Sequence, residues 1–339
     1  MESDGGLSLL SPRLTNEPWS NFVSAVAPCS HLSNTSNTLD CLRSDQVSSE
    51  DVLQALINAG ISFSGLTPWA PLLDGTDGLI PRYPSQSSIK AKFPIIIGSC
   101  LDEGTILQSQ APPNTSSDDA IRNLIKSASS RPPGREKEIQ QIIDRTLREY
   151  PNIPSLGSPF GTGNDTFGLD KGYKRGSAVG GDLILQSHRR FMSHRLAQRH
   201  DGNSTQAQVF SYLFAESNGG VLTVPPEFII GSPVPGSLGV PHASEIFYVF
   251  GTLEDELGPG KVTTNALELS QTVMDYWISF AVSGNPNDGR GEARPHWAPY
   301  NPDDPMSIQL KGQDTRMISD TFRKQGMAVF NEDPTALRR

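Results

Sequence analysis

Two short runs constrain this chain more than any other feature: FPIIIGS, Phe93 to Ser99, and QVFSYLF, Gln208 to Phe214. Each is almost continuously apolar and lacks the alternation of a strand with one face in water. Each is therefore expected to be a strand buried on both faces. The long interval between them carries helical signals. Ser117 precedes Asp118 and Asp119, acids that favour the first turn of a helix. Ile139, Ile142, Ile143 and Leu147 then recur at helical spacing until Tyr150-Pro151 stops them. A further long helix is expected from Ala178 to His200. A C-terminal helix is expected from Asn265 to Val282, with Ala266, Val273, Trp277, Phe280 and Ala281 on one face and Gly284 and Pro286 ending it. Near the start, Ser48-x-x-Asp51 opens a short helix that Gly60 can close. Buried strands joined by helical crossovers make an α/β protein with a mostly parallel sheet.

The chain has 339 residues, room for one large domain or two ordinary ones. Its 28 basic and 37 acidic residues leave a net charge of −9. That surface repels phosphate backbones and anionic headgroups, so no nucleic-acid partner and no peripheral-membrane role are expected. No apolar stretch is long enough to be a transmembrane segment. The 31 glycines and 27 prolines argue for long ordered loops between the elements. The three cysteines match no zinc-site spacing, and neither a metal nor a cofactor is expected.

Cys29 and Cys41 bracket a loop of a size that a disulfide can close, and Asn34, Asn114, Asn164 and Asn203 each open an N-glycosylation acceptor pattern. Together they lean toward an oxidising, extracellular setting. The opening MESDGGLSLL has neither the basic nor the apolar region of a secretory signal. The conflict is a first hint that the chain is not complete at its N-terminus.

In an α/β sheet the chemistry sits in loops just past the carboxyl ends of the strands. After the first run comes Cys100-Leu-Asp-Glu103-Gly104, where a carboxylate followed by a turn-permitting glycine suits the acid that orients an imidazole. By itself such an acid reads more readily as an ordinary loop residue. After the second run comes Gly239-Val-Pro-His242-Ala-Ser-Glu245. His188, His194 and His200 lie in an Arg-rich helix at six-residue spacing, which suits a solvated charged face rather than a metal pair. His31 sits in the Cys29–Cys41 loop and His296 in a polar stretch. Only His242 occupies a strand-following loop, and its role stands open between catalytic and structural. Acid before histidine is the α/β-hydrolase triad order, yet no G-x-S-x-G elbow and no Gly-rich oxyanion loop occur in these residues.

LDEGT around Glu103, GVPHASEIFYVFG around His242 and YWISFAVSGNPND at the C-terminal helix together resemble the type-B carboxylesterase/lipase family, which includes cholinesterases and carboxylesterases. GSPFGTGNDTFGLDKGYKR from Gly157, with Ala178–Asp182, looks closer to that family's fungal extracellular lipases and sterol esterases. AVAPCSHLSNTSNTLDCLR is similar to the family's loop disulfide, which pairs Cys29 with Cys41. The resemblance runs along essentially the whole chain but takes in only the C-terminal part of a family member. It implies an incomplete α/β-hydrolase fold over residues 1–339, without the part that bears the nucleophile elbow and oxyanion loop.

The same resemblance makes Glu103 the triad acid and His242 the general base, with Glu245 a buried acid supporting the site and Asp182 a structural acid. It implies a secreted carboxylic ester hydrolase working by serine-type acyl transfer on a small-molecule or lipid ester. Without the serine, this chain alone is expected to be inactive. The other reading is a non-catalytic, cholinesterase-like binding or adhesion module, against which the presence of both Glu103 and His242 argues.

Overall fold

The computed structural model describes residues 16–58, 73–87, 92–109, 117–129, 135–198, 207–224 and 232–337. They fall in two compact units, one within residues 7–87 together with residue 337, and one within 88–336. Gly60, His200, Asn114 and Asn203 lie outside the described residues.

In the smaller unit, helices α1 (Asn16–Ala25), α2 (Thr38–Leu42) and α3 (Ser49–Asn58) pack around Phe22, Val23, Val26 and Ala55. Helix α3 opens with a reciprocal cap: Ser48 N–H donates to Asp51 (2.8 Å) and Asp51 N–H to the Ser48 hydroxyl (3.1 Å). The Ser48 hydroxyl, which donates to the same carboxylate at 2.7 Å, and then the Ser48 N–H hold the Asp51 pKa below the ordinary carboxylate value. Cys29 and Cys41 form a disulfide that ties a 3₁₀ turn to α2, and Cys29 is fully buried in the unit's core. The Asn34 side chain stands exposed on the enclosed loop.

The larger unit is built on four strands in the order β1 (Ile95–Cys100), β2 (Val209–Phe214), β3 (Met306–Leu310), β4 (Arg316–Ser319). β1, β2 and β3 run parallel and β4 antiparallel, with Gly98 opposite Tyr212 in the register. β2 is buried along its whole length, as its unbroken apolar run requires. β1 starts two residues later than its apolar run, leaving Phe93 exposed ahead of it. β3 and β4 escape a sequence reading because they are short and carry Gln309, Arg316 and Ser319 among their few apolar residues.

The β1–β2 crossover contains α4 (Thr105–Ser109), α5 (Asp118–Ala128), α6 (Glu136–Glu149), α7 (Tyr173–Gly181) and α8 (Ser187–Ala197). Ser117 caps α5 through its hydroxyl. Ile142 and Ile143 are buried on α6. The single helix expected from Ala178 starts at Tyr173 and is broken by a π turn at Asp182–Gln186. Its arginine-rich part is solvated only in part: His194 is exposed, but His188 is buried, and Arg189 is fully buried and makes two 2.6 Å hydrogen bonds to buried Asp320 just past β4, to which Arg190 adds a third at 3.0 Å. The local pattern cannot disclose this because the neutralising partner is more than a hundred residues away.

The β2–β3 crossover holds α9 (Ile246–Phe250), α10 (Leu253–Leu257) and α11 (Thr264–Ser283), and α12 (Lys324–Asn331) follows β4. The buried face of α11 is Ala266, Leu269, Val273 and Tyr276, with Trp277 and Phe280 half-buried and Ala281 exposed. It is rotated from the expected face because Tyr276 turns inward to meet the Trp297 ring edge-on at 5.2 Å.

Candidate active site

β1 ends with the Leu101 amide bonded to the Phe214 carbonyl, and the chain then turns into α4. In that turn Glu103 is driven inward and is almost fully buried. Its Oε1 accepts the Cys100 backbone N–H at 2.6 Å, and its Oε2 lies 2.8 Å from Nδ1 of His242, from 139 residues further along the chain. Gly104 has no positive φ, so it does not serve the turn as the sequence suggested. A side chain there would collide with the Ser177 carbonyl and the Gly181 amide of α7, and glycine is what lets the acid's loop lie flat on that helix.

The His242 loop is fixed to the Glu103 loop by Asp102, a neighbour the sequence reading passed over. The Asp102 amide donates to the Val240 carbonyl (2.9 Å), and its carboxylate accepts from Val240 N–H (3.0 Å), the Ser158 hydroxyl (2.7 Å) and Phe160 N–H (2.9 Å). Burial nonetheless outweighs these donors and leaves the Asp102 pKa above its ordinary value. The Thr105 hydroxyl adds a bond to the Leu238 carbonyl at 2.8 Å. Gly239 turns with φ +60°, where a side chain would strike Asp102. Ala243, directly after the histidine, is held at φ +71°, a strained setting for a residue with a Cβ.

The imidazole is 30% exposed while the Glu103 side chain beneath it is fully covered. Burial works against the charged imidazolium, but the hydrogen bond and charge of Glu103, with the charge of Glu245, outweigh it and raise the His242 pKa. Glu245 is buried too, accepting from the Cys100 thiol (2.8 Å) and the Tyr212 hydroxyl (3.3 Å). The Tyr212 ring lies across Gly98, where any side chain would collide with it. The glycine inside an isoleucine run was the available signal of that close approach.

Asp182 belongs to a different cluster. It is buried at the start of the π turn, bonded by both carboxylate oxygens to Arg323 (2.7 Å each) and by the Tyr150 hydroxyl (2.8 Å). The same π turn delivers Gln186, whose amide donates to the Cys100 carbonyl (2.6 Å) and accepts from the Ser99 hydroxyl (2.8 Å). Gln186 and Arg323 carry no local sequence signal, since each acts on a partner brought in by the fold. Among the described residues no group of three or more His, Cys, Asp or Glu side chains is arranged to hold a metal ion, and no helix is long and apolar enough to cross a membrane. What the Glu103–His242 pair can do is fix one imidazole tautomer, stabilise the imidazolium, and so let the ring exchange a proton at Nε2.

The strand order and crossovers are those of an α/β-hydrolase. They match the crystal structure of Aspergillus niger EstA with a TM-score of 0.67 at 20% identity, over 100% of this chain and 58% of that one. Residues 8–329 match the carboxylesterase family model, and the chain belongs to the carboxylesterase family. It is 29% identical to Lipase 1 of Geotrichum candidum over 318 residues, covering 91% of this chain and 48% of that protein. It is 26% identical to the secreted triacylglycerol lipase LIP1 of Gibberella zeae, covering 90% and 46% respectively. A shorter match, 38% identity over 96 residues, joins 28% of the chain to 10% of Gallus gallus acetylcholinesterase. The chain thus spans about half the length of the fungal lipases it matches.

Proposed function

We propose that this chain is the C-terminal part of a secreted carboxylic ester hydrolase and carries the acid–base half of a serine-type acyl-transfer site. The observation that carries the reading is the 2.8 Å bond between a wholly covered carboxylate, Glu103, and Nδ1 of a partly exposed imidazole, His242. In that role His242 takes the proton from a serine hydroxyl at Nε2 and later gives it to the leaving alcohol. Glu103 holds the tautomer and stabilises the imidazolium without itself taking the proton. Asp102 acts as a clamp between the two loops, and Asp182 as a structural acid. The substrate class is a small-molecule or lipid ester, supported by the printed names of the fungal relatives.

The 339 residues contain no G-x-S-x-G elbow, so the serine must come from sequence outside them. Loss of such a nucleophile costs on the order of a millionfold in kcat. The purified chain is therefore expected to leave a p-nitrophenyl ester intact. Turnover that disappears in His242→Ala would overturn this reading. The extracellular setting is supported by the Cys29–Cys41 disulfide and by exposed acceptor asparagines at Asn34 and Asn164.

A further inference from the structure

Cys100 lies at the point where β1 gives way to the site, and each of its polar atoms is engaged there. Its backbone N–H donates to Glu103 at 2.6 Å, and its carbonyl accepts from Gln186 at 2.6 Å. Its sulfur donates to Glu245 Oε2 at 2.8 Å. Glu245 is in the loop that carries His242. One residue of β1 therefore holds the acid on one side and the histidine's loop on the other. A thiol suits this place chemically: it is a weak, neutral donor that can also accept. It is fully buried, and burial together with the charges of Glu245 and Glu103 pushes its pKa well above the ordinary thiol value. It is thus kept as S–H, and a nucleophilic thiolate is excluded there.

We propose that Cys100 is a positioning residue of the site: its S–H bond holds the Glu245 carboxylate where its charge supports His242. The groups acting on that ring are Glu103 on the β1–α4 turn, bonded to it, and Glu245 on its own loop, which supports it by charge; Cys100 on β1 and Tyr212 on β2 are bonded to Glu245, and Asp102 to the loop's backbone. If the thiol is removed, buried Glu245 loses a donor and takes up a proton. The imidazolium then loses one of its two supporting charges, and His242 titrates at lower pH. The proposal rests on reading Glu103–His242 as the acid–base half of the site, but its test needs no ester hydrolysis. An inactive chain leaves it standing, and its failure leaves the hydrolytic reading standing.

Cys29 and Cys41 are joined, so Cys100 supplies the only S–H among the three cysteines. In the intact chain its infrared S–H stretch is expected at lower frequency than that of a thiol in apolar surroundings, and Glu245→Gln is expected to move it back up. A stretch already at the apolar position in the unsubstituted chain overturns the proposal. The His242 titration is then followed by NMR, assigned with His242→Gln. Cys100→Ala is expected to lower the midpoint by about half a pH unit, toward the Glu245→Gln value, while Cys100→Ser, which restores a donor, keeps it in place. Equal midpoints in Cys100→Ala and the unsubstituted chain, or an equal fall in Cys100→Ser, reduce the residue to space-filling. Should Cys100→Ala fail to fold, the infrared comparison decides alone.

Discussion

Glu103 and Asp320 are both acids buried against a cation-forming partner, but His242, which Glu103 supports, and Asp320 contribute to stability over opposite pH ranges. His242, bonded to Glu103, has a raised folded pKa. Its stabilising contribution is complete below the unfolded histidine value of about 6.5 and is lost as pH rises through the folded one. Glu103→Gln keeps the shape and removes the charge. It is expected to lower the His242 midpoint by about one pH unit or more, read by NMR; an unchanged midpoint contradicts the pairing. Asp320 is held below its ordinary pKa: burial alone would raise it, but the charges and hydrogen bonds of Arg189 and Arg190 prevail. Its contribution is present above about pH 4 and lost as pH falls through the folded value. Asp320→Asn strands a buried guanidinium, Arg189, and a partly buried one, Arg190, and urea unfolding at neutral pH should register a loss of about 3–5 kcal/mol, shrinking in acid. A loss independent of pH would mean that packing, not charge, is at stake.

At the scale of elements, the site depends on how closely α7 approaches the Glu103 turn. Gly104 and Gly181 face each other there, and a side chain on either would meet the other's backbone. Gly104→Ala is expected to cost about 1–3 kcal/mol in urea unfolding and to displace the carboxylate from His242, visible as a lowered histidine midpoint. Ordinary stability with an unchanged midpoint would show that the contact has slack. The elements with long or uniform patterns were legible in sequence: β1, β2, α5, α6 and α11 all appear within a few residues of their expected places. So were Glu103 and His242, as residues in loops that follow buried strands. What stayed hidden was made by the fold. β3 and β4 are too short and polar to declare themselves, the π turn has no periodic signature, and Arg189 reads as solvated until Asp320 is beside it. Asp102, Cys100, Gln186 and Arg323 share that reason, since their partners are far along the chain.

At the scale of the whole molecule, the described sheet has β1 at one end, and the Glu103–His242 pair sits just beyond the carboxyl ends of β1 and β2. That is where an α/β sheet gathers its chemistry. Passage through a eukaryotic secretory pathway is expected to glycosylate Asn34 and Asn164, both exposed, with an endoglycosidase-sensitive mass shift that Asn34→Gln and Asn164→Gln each reduce. A secreted product of unmodified mass would contradict that assignment. The central claim is that these residues are one part of a serine ester hydrolase whose nucleophile lies elsewhere in the same reading frame. Sequencing the transcript upstream of Met1 tests it most directly. A frame that continues through a G-x-S-x-G elbow and back to a secretory signal is the predicted result; a transcript that begins at Met1, or an upstream elbow with its serine replaced, contradicts it.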